Sequence, residues 1–165
     1  MCDSTTLNEK FSIPGLITFV DNNQGALVAR VETPQGTMEI ARQGAQLLFW
    51  TPKDQAPVVW LSPQARFKTG KSLRGGVPVC WPWFGPHPEN NSLPGHGFAR
   101  NLHWRVLETS RLRDAVRIIM IFEPTDEQLK DWPHHAQLSL SITMGETLKM
   151  ALTTRNLSKT SFTIT

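Results

Sequence analysis

The run Leu138-Ser139-Leu140-Ser141-Ile142-Thr143-Met144-Gly145-Glu146-Thr147-Leu148-Lys149-Met150-Ala151-Leu152-Thr153 decides the fold class. Leu138, Leu140, Ile142 and Met144 alternate with Ser139, Ser141 and Thr143. After Gly145-Glu146, Leu148, Met150 and Leu152 alternate with Lys149, Ala151 and Thr153. Side chains along a strand point to opposite faces in turn, so this period of two gives each arm one apolar and one polar face. Gly145-Glu146 predicts a two-residue hairpin turn in which the glycine takes a positive φ.

Outward from this hairpin the reading stays strand-rich. Ala115 to Glu123 is more continuously apolar, which predicts a strand buried on both faces. Thr125 to Trp132 predicts a short helix, with Thr125 as N-cap, acids in the first turn and Pro133 as the stop. Gly25 to Thr33 puts Leu27, Ala29 and Val31 on one face and Val28, Arg30 and Glu32 on the other. Pro34-Gln35-Gly36 reads as a turn and Thr37 to Ala41 as the returning strand. Gln46 to Trp50 and Val58 to Leu61 are short apolar strands. Many short strands, frequent turn signals and little helix predict an all-β chain, a sandwich or barrel.

A length of 165 residues predicts one domain, residues 1–165, large enough to bury a core without disulfides or a structural metal. With 39% apolar and 19% charged residues, disordered, coiled-coil and membrane classes are excluded. No apolar run approaches the ~18 residues that cross a bilayer, and the start from Met1 to Thr6 lacks the pattern of a secretory signal. A net charge of +3, without a run of consecutive Lys or Arg, is too weak for a nucleic-acid arm but suits a small anionic ligand. Cys2, expected in a frayed terminus, and Cys80, in an apolar run, cannot make a disulfide framework, so a reducing, cytoplasmic setting is expected.

Between Ser62 and Arg100 the periodicity stops. Prolines and glycines crowd the stretch, yet it carries Trp81, Trp83, Phe84 and Phe98, which disordered segments lack. Long ordered loops of this kind are usually functional. Residues 55–88 contain no acid but hold Arg66, Lys68, Lys71 and Arg74. Arg74-Gly75-Gly76 sets a guanidinium beside backbone that can approach a ligand closely, and guanidinium matches phosphate oxygens. A solvated basic loop explains the same composition. Thr69-Gly70-Lys71-Ser72 is not a P-loop, because position 65 is Ala and no helix start follows.

Of five histidines, His96 stands out, framed by Gly95 and Gly97. Such a side chain either hydrogen-bonds a ligand hydroxyl or caps a turn. His87 lies in a turn, His103 in a strand-like segment, and His134-His135 at a surface helix end. Cys80, His87 and His96 fit no zinc spacing. Trp81, Trp83 and Phe84 could stack on a sugar, although a loop core is the ordinary fate of most of them.

Arg74-Gly75-Gly76-Val77-Pro78-Val79-Cys80-Trp81-Pro82-Trp83-Phe84-Gly85 and His96-Gly97-Phe98-Ala99-Arg100-Asn101 together resemble the glucose-6-phosphate 1-epimerases, within the aldose 1-epimerase superfamily. Gly44 to Trp50 and Thr154-Arg155-Asn156 resemble further family segments. The resemblance implies a galactose mutarotase-like antiparallel β-sandwich, with residues 62–100 along one concave face. It implies interconversion of the α and β anomers of hexose 6-phosphates by acid/base ring opening, with no metal or organic cofactor. Arg74 and Arg100 match the phosphate-holding arginines, with Lys71 a weaker candidate. His96 matches a histidine that positions the sugar, and Gly95 stands where a ligand-contacting Gln is frequent, leaving backbone contact only. The implied partner is a small sugar phosphate, with no nucleic acid and no membrane, and the full-length protein is expected to be a monomer.

The family's principal catalytic His and Glu lie beyond the positions matched here. The chain is therefore expected to be the N-terminal part of such an enzyme, truncated at its C-terminus and inert by itself. The alternative is a non-catalytic sugar-phosphate-binding β-sandwich. Loss of later strands is expected to expose Leu140, Ile142, Met150 and Leu152, to leave Thr163-Ile164-Thr165 as an unpaired strand, and to favour aggregation.

Overall fold

In the computed structural model, residues 3–22, 25–62 and 64–165 are described; Met1, Cys2 and Pro63 fall outside them. Two short helices and eight strands follow in the order α1 Ser4–Phe11, β1 Ile17–Asp21, β2 Leu27–Thr33, β3 Gly36–Ala41, β4 Leu47–Pro52, β5 Arg105–Arg111, β6 Val116–Phe122, α2 Asp126–Asp131, β7 Ala136–Met144 and β8 Leu148–Asn156. A single 3-10 turn spans Ala99–Asn101. The strands form two four-stranded antiparallel sheets, β1-β2-β3-β4 and β5-β6-β7-β8, each a meander in chain order. No helix among the described residues is long and apolar enough to cross a membrane.

The core lies between the sheets. Ile17, Phe19, Val31, Met38 and Ile40 from the first meet Val116, Ile118, Met120, Leu138, Leu140 and Ile142 from the second in one apolar cluster. Each such side chain, fully buried, contributes about 1.5–3 kcal/mol of transfer free energy. Trp81, Trp83 and Phe98 join the same cluster from the long connection between β4 and β5. Trp81 packs edge-on against Phe98 at 5.7 Å and Trp132 at 4.7 Å. The aromatics of the connection are thus core material for the most part, and Phe84 is the exception at 71% exposed. A second, smaller cluster of Val28, Ala41, Leu48 and Leu73, with Leu61 and Phe67 against it, covers the outer face of the first sheet.

Several expectations need correction. The β7–β8 hairpin closes Met144 against Leu148, so its loop has three residues, and Gly145 does not take a positive φ. Its small size serves packing instead, since a Cβ there would stand 3.0 Å from the Asp114 carbonyl oxygen. Strand β6 is not buried on both faces, because Arg117 and Ile119 on its outer side are half-exposed. Val58–Leu61 forms only isolated bridges, Trp50 to Val59 and Leu61 to Gly75. Leu140 and Ile142 are buried because the first sheet covers them, whereas Leu152 on β8 is 47% exposed. Thr163–Thr165 is not a strand; Thr165 exchanges backbone hydrogen bonds with the Pro82–Phe84 segment, Phe84 N donating to its oxygen at 2.6 Å and its own N donating to Pro82 O at 3.3 Å.

Candidate sugar-phosphate site

The β3–β4 connection, Arg42 to Gln46, organises the loops around it. Gly44 and Ala45 both take positive φ, 73° and 46°, which folds the chain back sharply after β3. Gln43 and Gln46 on either side are buried polar side chains. Gln43 donates through Nε2 to the Lys71 carbonyl at 2.7 Å and accepts from the Gly70 N–H at 3.3 Å. Gln46 donates through Nε2 to the Gly75 carbonyl at 2.7 Å. The basic loop of residues 70–76 is therefore held by two amide side chains rather than left free in solvent.

Arg74 stands on that loop between two anchors, buried Leu73 and the Gln46–Gly75 hydrogen bond. Its own side chain is exposed. Gly75 and Gly76 have φ of 97° and 65°, and a Cβ on Gly75 would come within 2.8 Å of Ser62 N, while one on Gly76 would collide with the Leu47 carbonyl. Both positions thus require glycine for conformation and for space. Lys71 is exposed on the same loop.

The second motif folds against the first. His96 and Gly97 take positive φ, 65° and 69°, and Gly97 lies so close to the Trp81 backbone that no side chain fits. Phe98 N donates to Trp81 O at 3.1 Å. The His96 ring accepts from the Gly85 N–H through Nδ1 at 3.1 Å. With Nδ1 an acceptor, the neutral ring carries its hydrogen on Nε2 and presents a donor there. Both readings of His96 meet in this geometry: one nitrogen secures a turn and the other is left for a ligand. Arg100 donates through Nη2 to the Gly95 carbonyl at 2.7 Å, while its buried Nε has no partner among the described residues. The Gly95 carbonyl, the one group there expected to meet ligand, is thus occupied in orienting Arg100.

Ser72 Oγ donates to Asn101 Oδ1 at 2.8 Å, tying the loop of Arg74 to the turn that carries Arg100. Gly44 N donates to Leu102 O at 2.7 Å and reinforces that junction. Among the described residues no carboxylate pairs with Arg74, Lys71 or Arg100, and no hydrogen bond joins the side chains of Arg74, His96 and Arg100 to one another. His87 caps its own turn through Nδ1, accepting from Glu89 N at 3.2 Å and Asn90 N at 3.0 Å. His103 lies elsewhere, across a bridge from Gln43, where burial and then the neighbouring Arg42 charge lower its pKa. Cys80 is a half-buried free thiol. The residues that sequence reasoning did not single out are Gln43, Gln46, Ser72 and Asn101, which build the frame. Their only local signal is polarity beside glycine, as their partners are 27 to 29 residues away.

The aldose 1-epimerase family matches residues 28–165. An Escherichia coli protein named "putative glucose-6-phosphate 1-epimerase" is 43% identical over 122 residues, which is 74% of this chain and 41% of that protein. A grass protein of the same name, from Cenchrus ciliaris, is 32% identical over 142 residues, 76% of this chain and 42% of its own length. The crystal structure of the Salmonella typhimurium "putative mutarotase" YeaD superposes with a TM-score of 0.82 at 35% identity, covering 88% of this chain and 48% of that one. A galactose mutarotase-like protein from Clostridium acetobutylicum, 16% identical, shares the fold with a TM-score of 0.65. The chain spans about two-fifths of the length of the curated relatives it matches.

Proposed function

Since this chain belongs to the aldose 1-epimerase family, we propose that it serves the interconversion of α and β anomers of hexose 6-phosphates, and that residues 1–165 form one sandwich unit that holds and orients the sugar phosphate. Arg74 and Arg100 take the phosphate, with Lys71 contributing charge nearby. The Nε2–H of His96 donates to a sugar hydroxyl, and the Gly95 carbonyl keeps the Arg100 guanidinium turned toward the ligand. The observation that carries this reading is the Ser72–Asn101 hydrogen bond, which locks together two arginine-bearing loops that no carboxylate neutralises. Two cations held without a counter-ion favour a dianionic ligand, and guanidinium groups meet phosphate oxygens through paired hydrogen bonds.

Anomer exchange needs a base to remove the anomeric hydroxyl proton and an acid to protonate the ring oxygen; the ring opens, the aldehyde turns over, and the steps reverse. His96 is a positioning group in this scheme. Its Nδ1 is engaged by Gly85, and no carboxylate hydrogen-bonds it among the described residues, so nothing in its surroundings raises its basicity. The acid and base are assigned to residues outside those matched in the first part of the family sequence.

Titration calorimetry with glucose 6-phosphate and with glucose tests the phosphate clamp. A charge-assisted hydrogen bond contributes ~1.5–3 kcal/mol, so Arg74→Ala is expected to weaken glucose 6-phosphate binding roughly ten- to a hundredfold and to leave glucose binding unaltered. Equal losses for both ligands would show that Arg74 is structural.

A further inference from the structure

The chain contains six tryptophans, and five of them are buried or half-buried. The sixth, Trp60, is 62% exposed and makes no ring contact with any described aromatic. Leaving an indole in water forfeits about 2–3 kcal/mol of burial, so its place in the fold invites a reason.

That place is fixed by backbone register. Leu61 and Gly75 form an antiparallel bridge. Gly76 N donates to Trp60 O at 2.9 Å, and Ser62 N donates to Arg74 O at 3.2 Å. Trp60 therefore lies across from Gly76, and Arg74 lies across from Ser62, one step along the diagonal from Trp60. Leu61 turns inward onto the outer-face cluster of the first sheet. Its neighbours Trp60 and Ser62 project to the opposite side, since successive side chains of an extended segment alternate. Diagonal cross-strand neighbours are ~7–8 Å apart, within reach of long and aromatic side chains. Gly76, opposite the indole, has no side chain and can carry none, because a Cβ there would collide with the Leu47 carbonyl. The strip between the indole and the Arg74 loop is thus open by construction.

An apolar plane beside an unpaired guanidinium matches a ligand with an apolar face and an anionic arm. A hexopyranose phosphate has both, as the axial C–H bonds of the ring form a face that packs on indole while the phosphate lies a few ångströms away. We propose that Trp60 is a ligand-contacting residue that stacks on the sugar ring and sets its orientation relative to the phosphate held by Arg74. This inference rests on the sugar-phosphate reading above and adds to it a residue that selects for the sugar rather than for the anion.

The test titrates the chain and its Trp60→Ala and Trp60→Phe variants with glucose 6-phosphate and with inorganic phosphate, following heat and tryptophan fluorescence. Trp60→Ala is expected to weaken glucose 6-phosphate about five- to tenfold and inorganic phosphate less than twofold, and Trp60→Phe to recover most of the loss. The ligand-induced fluorescence change should vanish in both variants. Unchanged glucose 6-phosphate affinity in Trp60→Ala, or equal losses for the two ligands, would overturn the stacking role and leave the phosphate clamp standing. Failure of the unsubstituted chain to bind either ligand would overturn both.

Discussion

Replacing Gln46 by Leu isolates the frame of the site from its chemistry. Gln46 is 1% exposed, and its Nε2 donates to the Gly75 carbonyl at 2.7 Å, one residue after Arg74. Leucine fills a similar volume but offers no donor, so the perturbation is a lost hydrogen bond and not a cavity. A buried carbonyl left without its partner costs ~1–3 kcal/mol. For a chain of this size each 1 kcal/mol lowers Tm by about 2–4 °C, which gives an expected drop of roughly 2–12 °C. The binding effect is separate. Freeing the Gly75 peptide lets Arg74 sample more positions, and ordering one such side chain on binding costs ~0.5–1.5 kcal/mol, or about two- to tenfold in affinity for glucose 6-phosphate. The assay pairs a thermal melt with calorimetric titration, and Arg74→Ala serves as comparison: exposed Arg74 should lose affinity with little change in Tm. Wild-type melting and wild-type affinity in Gln46→Leu would refute the argument that this amide holds the loop.

Three further outcomes follow from the geometry. Gly97→Ala places a Cβ against the Trp81 backbone in a left-handed conformation, so a loss of at least ~3 kcal/mol or failure to fold is expected, read by denaturant titration. His96→Asn should weaken glucose 6-phosphate about two- to tenfold and leave inorganic phosphate unaffected, since one neutral hydrogen bond contributes ~0.5–1.5 kcal/mol; a matching loss for phosphate would make His96 part of the anion clamp. His103 has its pKa lowered below the ordinary 6.5 by burial and then by Arg42. The unfolded chain therefore binds the proton more readily, and stability present above pH 6.5 is lost as pH falls through the lower folded value. Urea midpoints should decline on acidification below that point, and His103→Gln should flatten the decline.

The strict alternation of residues 138–153 placed β7 and β8 because every second residue of β7 is buried, the condition under which a period of two is written into sequence. Helix α2 was equally legible, since its capping box, with Thr125 and Gln128 answering each other, is local. Helix α1 was not. Its Ser4-Thr5-Thr6 start has poor intrinsic propensity, and much of what fixes it is remote, with Asn8 hydrogen-bonding both backbone groups of Phe19. The two arginine motifs were visible as an acid-free, glycine-rich stretch and by resemblance. Their frame was not, because Gln43 and Gln46 act across nearly thirty residues and no single-sequence pattern records such a pairing. The fates of Trp81, Trp83 and Phe84 divided for the same reason: composition marks an aromatic loop, and only packing decides which ring turns inward.

Each sheet is a meander of consecutive strands, so nearly all ladder pairing is short-range along the chain. Such ladders can close early and separately, because little loop entropy is spent in forming them. The stretch from Lys53 to Trp104 has no ladder of its own beyond isolated bridges, and its Trp81, Trp83 and Phe98 enter the apolar cluster shared by both sheets. It sets only when the two meanders meet, like mortar between courses of brick. Ligand capture and sheet docking are then one equilibrium viewed from two ends. Saturating sugar phosphate at a hundred times Kd should add ~2.7 kcal/mol to the joined state, and the amides of residues 70–76 and 96–101 should gain more protection from hydrogen exchange than those of β2 or β7.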